Sequence, residues 1–474
     1  MKRVSKNLFA IATGDVGSRL LGFLAAAYLA RKLQPENFGL VNLALAVLGY
    51  LFLVTSPGLN LYGTRLTAER QGSEVQLAGD LLGLRLFLAT LCFLVVVAAA
   101  LFFSEGQTLF LLVVLYATSL FPLAVTLDWF FQGKEIMQSI GWNRFVTNLV
   151  YLSFLLLLIH GQSDVLEAPI ALLLGNLAGA GLLLVTFVRN YGRFRLSWIP
   201  SSLLSGDGRW RQLLKHSLPI GLGTVTSQIS FNFPLVILGL ASTATTVGYF
   251  GAASRVVFAL MLFDRLVTTV LLPAIARYHK RLPHDLQPML LLTLKISLSI
   301  VLPVCFGGVV LADRLISTVY GGQFADAAPV FQSLIWYFFF SAASSVYVYG
   351  LIGIGQERIY SRMMVWGSIL QMGCIAVGSF AWEAVGAGAG YALGEGVILF
   401  LMAFQFNKFF VVRFWPAVWR PLLAAVVMAL VLFPMRSYAL PITISTGALA
   451  FLISLVLARG ITSDDIASLK AKLL

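Results

Sequence analysis

The chain consists of about fourteen long apolar stretches separated by short polar connectors. A helix needs roughly 20 apolar residues to cross about 30 Å of hydrocarbon, so these stretches have the length of membrane spans. Hydrophobic residues make up 59% of the 474 residues and charged residues only 11%. No soluble core holds that much apolar surface, and the sequence therefore predicts an all-α integral membrane protein with about 14 transmembrane helices.

Positive charge follows the connectors rather than the apolar stretches. The formal net charge is +13, and Lys and Arg lie mainly on the N-terminal segment and on alternate connectors, including Arg85 and the long basic stretch 189–215. The positive-inside rule then places both termini in the cytoplasm. A basic loop face explains this charge, so we expect no nucleic-acid partner.

The three cysteines and the first apolar stretch have simple interpretations. Cys92, Cys305 and Cys374 all lie inside predicted spans, which argues against a disulfide framework. The first stretch follows a basic segment but contains Asp15 and Arg19 and lacks a cleavage site of small residues. It is therefore predicted to remain as the first helix rather than to be a removable signal peptide.

Two parts of the chain resemble each other at the same place in a six-helix unit. Residues 7–44 align without gaps over 216–253, and residues 133–135 correspond to 355–357. Six spans return the chain to the same side of the membrane, so the repeats are predicted to be parallel. The predicted segments are an N-terminal six-helix lobe, a basic cytoplasmic linker, a C-terminal six-helix lobe, and two appended helices with a cytoplasmic tail, at 1–188, 189–215, 216–408 and 409–474.

Ionisable residues deep in a span are costly and mark functional sites by default. The deep positive residues are Arg19, Arg255, Arg265 and Lys295, and the deep negative residues are Asp15, Asp264 and Glu395. The balance is positive, and it becomes more so if Glu395 is protonated in its apolar, glycine-flanked setting. Glu395 either carries a coupling proton or makes a hydrogen-bonded helix contact.

Several of these residues also have structural interpretations. Asp15 and Arg19 stand four residues apart with the acid first, the order in which they pair on a helix. Arg255 and Asp264 are nine residues apart, about 180° around a helix, so they do not pair directly and Arg255 faces a cavity or another helix. Lys295 lies near the predicted cytoplasmic end of its span, where a lysine can snorkel.

The chemistry of an enzyme is missing from the sequence. Asp128 stands beside Trp129 near a span end, which we interpret as an interfacial anchor. No phosphate-binding loop, Cys/His ligand cluster or sizeable extramembrane domain is visible. We therefore expect a secondary-type transporter without catalytic residues, metal or cofactor, driven by an ion gradient or by the membrane potential, with a proton or a sodium ion as the candidate coupling ion.

Several short patterns resemble one known family. They read SRLLGF, LAR, FG, DWFFQGKE, YFGAASR, LLP and YGGQF, and lie at 18–23, 29–31, 38–39, 128–135, 249–255, 271–273 and 320–324. Together they resemble the polysaccharide-repeat-unit flippases, O-antigen type, of the multidrug, oligosaccharidyl-lipid and polysaccharide exporter superfamily. The resemblance covers essentially the whole chain. It implies two six-helix lobes around a central cavity plus two C-terminal helices.

The resemblance also implies a function. Such flippases move undecaprenyl-pyrophosphate-linked oligosaccharides from the cytoplasmic to the periplasmic leaflet of the bacterial inner membrane by alternating access. The excess of deep positive charge matches the need of a pyrophosphate. The expected partners are the lipid-linked oligosaccharide, membrane lipid and other polysaccharide-assembly proteins.

Three sets of residues then have expected roles. The pyrophosphate ligands are Arg19, Arg255 and Arg265, because guanidinium groups bind phosphate oxygens bidentately. The secondary sugar or cavity residues are Lys295, Gln228, Asn232 and Gln371. The ion-coupling residues are Glu395, Asp15 and Asp264.

Two other transporter classes remain as alternatives. The lipid II flippases of peptidoglycan synthesis are similar around Arg19 and Arg255, but Ala25 and Ala26 stand where that branch has a charged pair. A multidrug exporter of cations needs an excess of negative charge, which the deep residues do not supply. A membrane polymerase or ligase would need a large outer loop with catalytic groups, and no such loop is present in the sequence.

Overall fold

The computed structural model describes residues 2–69, 73–102, 107–194, 209–281 and 283–460. Within those ranges the chain is helical between short connections and contains no β-strand. Hydrocarbon offers no water to backbone N–H and C=O groups, and a helix pairs them within itself. The all-α membrane fold class predicted from the sequence is confirmed.

The described helices form two compact units. Contacts group the described residues of Met1–Gly239 and Thr243–Gly248 into the first unit, and those of Leu240–Ser242 and Tyr249–Leu474 into the second. The N-terminal helices are α1 (Lys2–Thr55), α2 (Leu59–Ala68), α3 (Glu74–Phe102), α4 (Gln107–Ala117), α5 (Leu120–Ala124), α6 (Asp128–Gly133), α7 (Met137–Leu158), α8 (Ala168–Tyr191) and α9 (Arg209–Ala241). The C-terminal helices are α10 (Ala244–Arg281), α11 (Pro283–Val310), α12 (Ala312–Tyr320), α13 (Ala327–Leu334), α14 (Trp336–Gly353), α15 (Glu357–Phe406), α16 (Phe414–Leu432) and α17 (Leu440–Leu457).

Eleven helices in the described part are long and apolar enough to cross a membrane. Two of them far exceed the roughly 20 residues of one crossing, since Gly17–Thr55 has 39 residues and Glu357–Phe406 has 50. Gln34, with φ 60°, interrupts the first, and Glu383, with φ 49°, interrupts the second. Each is therefore two apolar arms joined at a bend. The number of fourteen crossings stays a prediction.

The outer surface of the helices is apolar. Leu101 is 82% exposed and Leu457 is 79% exposed, and many other large aliphatic and aromatic side chains are exposed to a smaller extent. A water-soluble monomer rarely exposes contiguous apolar surface on this scale. In lipid the same surface carries no penalty, because hydrocarbon tails are as apolar as leucine.

Helix α9 packs within the first unit. The Tyr50 hydroxyl of α1 donates a hydrogen bond to the Ile229 carbonyl oxygen at 3.1 Å. A Cβ atom placed on Gly49 would lie 2.8 Å from the Asn232 side-chain nitrogen, so the two helices approach closely. The predicted lobes instead divide at the linker 189–215, of which 195–208 lie outside the described residues. Because a repeat describes internal symmetry rather than packing, the lobe boundaries stay a prediction.

The two arms of α15 pack against each other through glycines. A Cβ atom on Gly378 would lie 2.1 Å from the Gly386 carbonyl oxygen, and one on Gly386 would lie 1.9 Å from the Gly378 oxygen. Further along, a Cβ atom on Gly394 would lie 2.4 Å from Cγ of Gln371. Small residues let membrane helices gain van der Waals contact in the absence of a hydrophobic driving force. These contacts set the distance between the two arms.

We expect Gly378→Ala to lower the thermal stability of the protein, because the added methyl group overlaps the backbone of the facing arm. Overpacking of this kind costs about 1–3 kcal/mol. Gly373→Ala is the matched control, since nothing lies within 4 Å of a Cβ atom there. The melting temperature of each purified variant in detergent is the measurement, and equal melting temperatures would contradict the role of the contact.

Candidate functional site

The three predicted pyrophosphate arginines lie on two helices. Arg19 is exposed on α1 in the first unit, whereas Arg255 is half-buried and Arg265 is exposed on α10 in the second. Ten residues separate Arg255 from Arg265, which places them about 15 Å apart along the helix. These two guanidinium groups therefore lie at different depths of the same span rather than in one cluster.

The predicted secondary residues have different environments. Lys295 on α11 and Asn232 on α9 are half-buried, and Gln371 on the first arm of α15 is buried. The side chains of Asp15 and Gln228 lie outside the described residues. The predicted pairing of Asp15 with the first-helix arginine and the predicted sugar contacts therefore stay predictions.

Glu395 lies in a buried polar cluster of the second unit. Its side chain is 8% exposed, and the Ser344 hydroxyl of α14 donates to its Oε1 atom at 3.0 Å. The Gln371 side-chain nitrogen donates to Oε2 of Glu395 at 3.4 Å and to the Tyr391 carbonyl oxygen at 3.2 Å. The hydrogen-bonded helix contact considered for Glu395 is present. Both N–H groups of Gln371 are engaged in this cluster, which suits it to positioning the carboxylate rather than to binding a sugar.

A second carboxylate, Asp264 of α10, lies beside this cluster. It interacts electrostatically with Glu395 and lies within hydrogen-bond reach of Ser345. The rings of Tyr337 and Tyr391 cover the same region, with centroids 4.7 Å apart. Two carboxylates repel in a buried environment unless a proton or a cation neutralises one of them. The structure thus brings together two of the predicted ion-coupling residues.

The segment 320–324 contacts the turn of α10 that carries Arg255. The sequence did not predict this contact. Tyr320 is fully buried, and its hydroxyl donates to the Ala252 carbonyl oxygen at 3.0 Å. Burial raises the pKa of Tyr320 to about 12, while the positive charge of Arg255 opposes the rise. The Phe324 ring lies 5.6 Å from the Tyr320 ring. Because Ala252 lies one turn before Arg255, this hydrogen bond positions the turn that carries the guanidinium.

Arg85 is not part of the basic connector face. Its side chain is 1% exposed, and its guanidinium donates to the carbonyl oxygens of Leu123 at 2.6 Å and Thr126 at 3.0 Å. These carbonyls lie where the chain leaves helical geometry between α5 and α6. Arg85 therefore supplies hydrogen bonds to backbone groups that the break leaves without a helical partner.

The prediction of an interfacial anchor at Asp128 and Trp129 is wrong. Trp129 is 1% exposed, packed in the core of the first unit. The Asn143 side-chain nitrogen donates to Oδ1 of Asp128 at 2.9 Å, and Arg85 interacts with that carboxylate electrostatically. A tryptophan near a span end lies at the interface only if no neighbouring helix covers it, and the sequence does not show what covers it.

An all-helical membrane protein with arginines in its spans and a buried carboxylate cluster has features that are typical of a secondary transporter. The sequence matches one family over residues 4–279, more than half of the chain. The chain belongs to the family described as Polysaccharide biosynthesis protein.

Two curated relatives have names from polysaccharide export. "Putative O-antigen transporter" of Escherichia coli (strain K12) is 24% identical over 274 residues, which are 57% of this chain and 64% of that relative. The match thus spans less than two thirds of its length. "Succinoglycan biosynthesis transport protein ExoT" of Rhizobium meliloti (strain 1021) is 24% identical over 444 residues, 91% of this chain and 86% of that relative.

Two solved structures share the fold. The structure titled "Lipid II flippase MurJ, inward closed conformation" has a TM-score of 0.76 at 15% identity, covering 95% of this chain and 98% of that chain. An inward-facing multidrug resistance MATE family transporter of the MOP superfamily has a TM-score of 0.64 at 16% identity, covering 82% and 94%. At such identities the similarity shows the fold alone. The predicted resemblance to this superfamily and its polysaccharide-unit flippases is confirmed.

We expect Tyr320→Phe to lower the free energy of unfolding by about 0.5–1.5 kcal/mol, the typical net contribution of one hydrogen bond. The raised pKa keeps the Tyr320 hydroxyl protonated in the folded protein, and its contribution is lost only as the pH rises toward 12. The difference in the free energy of unfolding between the variant and the parent protein should therefore stay constant between about pH 6 and about pH 9. Thermal melts of the purified proteins measure it.

The matched control for this prediction is Tyr249→Phe. The Tyr249 hydroxyl donates to Asp326 at 3.2 Å at an exposed position, so its loss should change the melting temperature less. A Tyr320→Phe variant that melts with the parent protein would show that the hydrogen bond does not support α10.

Proposed function

We propose that the chain is a flippase that moves undecaprenyl-pyrophosphate-linked oligosaccharide repeat units from the cytoplasmic to the periplasmic leaflet by alternating access, for surface polysaccharide of the O-antigen type. The observation that carries the proposal is the presence of Arg19, Arg255 and Arg265 in apolar helices of a polysaccharide biosynthesis family member. The names of the O-antigen and succinoglycan transport relatives support the choice of substrate class.

Arginine suits this substrate for physical reasons. A charged side chain in hydrocarbon is costly, so an arginine in an apolar helix is a candidate for binding an anionic group. The guanidinium stays charged at any physiological pH and presents planar donors to phosphate oxygens. We assign Arg255 as the principal pyrophosphate ligand with Arg19 as a further one. Arg265, about 15 Å along α10, binds the same group at a different stage of its passage.

The proposal includes an orientation and partners. The proposed location is a bacterial inner membrane with both termini in the cytoplasm, where the lipid-linked substrate is assembled; the positive charge of alternate connectors supports this orientation. Other polysaccharide-assembly proteins supply and receive that substrate. The residues proposed to contact the sugar are Lys295, Gln228 and Asn232.

We expect Arg255→Ala to reduce the initial rate of substrate translocation by at least about tenfold, because a charge-assisted hydrogen bond contributes on the order of 1.5–3 kcal/mol. The assay follows leaflet exposure of a lipid-linked oligosaccharide in liposomes that contain the purified protein. Arg277→Ala is the matched control, an exposed arginine further along the same helix. Unchanged movement in the Arg255→Ala variant would remove Arg255 from the mechanism.

The carboxylate cluster is the proposed site of ion coupling. Glu395 and Asp264 would share a proton or a sodium ion, with Gln371 and Ser344 holding the Glu395 oxygens in place. Neutralising one carboxylate removes the repulsion between the two, which changes the preferred packing of the helices that carry them. The proton or sodium ion is the only cofactor in this proposal. Asp15 is a further proposed coupling residue, on the first helix.

We expect Glu395→Gln to abolish the response of the translocation rate to an imposed proton or sodium gradient. Glutamine keeps an oxygen that accepts the Ser344 hydrogen bond, so the fold is retained while the titratable charge is removed. Glu383→Gln, at the exposed bend of α15, is the matched control and should respond as the parent protein does. Retention of the full gradient response by Glu395→Gln would place the coupling elsewhere.

The second candidate function is lipid II translocation, favoured by the similarity of the sequence around Arg19 and Arg255 to the lipid II flippases. Ala25 and Ala26 argue against it, since both are buried at 0% and 1% exposure and leave no site for a charged pair. An ion-coupled exporter of small cations is disfavoured by the positive balance of the deep residues. The liposome assay with lipid II as substrate separates the first two functions, because the faster of the two translocation rates indicates the preferred substrate.

A further inference from the structure

One face at the start of α15 forms a feature that none of the transport sites uses. Six residues at helical spacing line an open concavity of about 470 Å³ there, and all six are exposed. They are Arg358, Ser361, Arg362, Val365, Trp366 and Ile369.

The first part of this face is cationic. Arg358 and Arg362 are four residues apart, so their side chains lie on the same face with a rise of about 6 Å between them. Among the described residues, neither arginine forms an ion pair or a side-chain hydrogen bond. Glu357 lies about 100° away around the helix from Arg358. Two guanidinium groups at this spacing offer donors to the oxygens of one phosphate group.

The second part of the face is apolar and uncovered. Trp366 is 58% exposed, Ile369 is 53% exposed and Val365 is 44% exposed. Tryptophan is enriched where lipid headgroups meet acyl chains. The face therefore changes from cationic to interfacial to aliphatic over about 16 Å of helix. A single phospholipid has the same order of chemistry from its headgroup to its acyl chains.

We propose that this face is a binding site for one anionic phospholipid of the cytoplasmic leaflet. Its phosphate accepts hydrogen bonds from Arg358, Arg362 and the Ser361 hydroxyl, and an acyl chain lies along Trp366 and Ile369. Basic pockets on the cytoplasmic side of membrane helices favour anionic headgroups. The site shares no residue with the proposed transport sites.

Charge complementarity selects this occupant over the others. A zwitterionic phospholipid brings a cation that two arginines repel. Free phosphate would use only the cationic part and leave the apolar part without a ligand. An anionic phospholipid such as phosphatidylglycerol binds both the cationic and the apolar part of the face, and it is present at high local concentration in the bilayer around the helix.

Native mass spectrometry of the full chain, purified in detergent, tests the proposal by titration with phosphatidylglycerol, phosphatidylcholine or inorganic phosphate. We expect the Arg358→Ala/Arg362→Ala variant to bind phosphatidylglycerol about 30-fold more weakly than the parent protein, on the scale expected for two arginines near an anionic lipid surface. Trp366→Ala keeps both charges and should weaken binding less. Arg358→Gln/Arg362→Gln replaces the alanine variant if that variant does not fold, as judged by its melting temperature.

The matched control is Arg189→Ala/Arg193→Ala, which removes two exposed arginines four residues apart at the predicted cytoplasmic end of α8. This variant should bind phosphatidylglycerol as the parent protein does. Three outcomes would overturn the proposal. The first is an equal loss of phosphatidylglycerol binding in both double variants. The second is binding of phosphatidylcholine to the parent protein as tightly as phosphatidylglycerol. The third is binding of inorganic phosphate with the same dependence on Arg358 and Arg362.

Discussion

The absence of water inside the membrane spans is the constraint on which this structure depends. A polar group without a hydrogen-bond partner there carries a large free-energy cost, so each one needs a partner within the protein. The backbone meets this requirement by forming helices. Where the helix breaks between α5 and α6, the buried guanidinium of Arg85 donates to two carbonyl oxygens. Deep in the second unit, Ser344 and Gln371 do the same for the carboxylate of Glu395.

The charged residues in the helices differ in how far the protein covers them. Arg85 is covered by protein and donates to the backbone, so it needs no ligand. Arg19 and Arg265 are instead exposed on their apolar helices. In the Glu395 cluster, hydrogen bonds from Ser344 and Gln371 position the carboxylate, and the neighbouring Asp264 adds a second acidic group. Anion binding and ion coupling are therefore separate proposals that rest on different groups.

Much of the fold was predictable, and the candidate sites were predictable only in part. Apolar length and the polar connectors between apolar stretches predicted a helical membrane protein, and the local patterns predicted a resemblance to polysaccharide flippases that agrees with the matched family. Glu395 and Asp264 were identified singly as costly residues. Their proximity was not predicted, because 131 positions separate them in the sequence and no periodicity relates α10 to α15. The support that Tyr320 gives to the turn before Arg255 was missed for the same reason.

The sequence by itself determined that the protein lies in a lipid bilayer and that its backbone is helical. Both follow from properties that act locally along the chain, namely the hydropathy of each stretch and the cost of unpaired backbone groups in lipid. It also identified which side chains are too polar for their surroundings. Only the tertiary structure decided which of these side chains have partners, since a partner lies on another helix. It placed Arg85 and Trp129 in the protein interior, and it brought two carboxylates into one buried cluster.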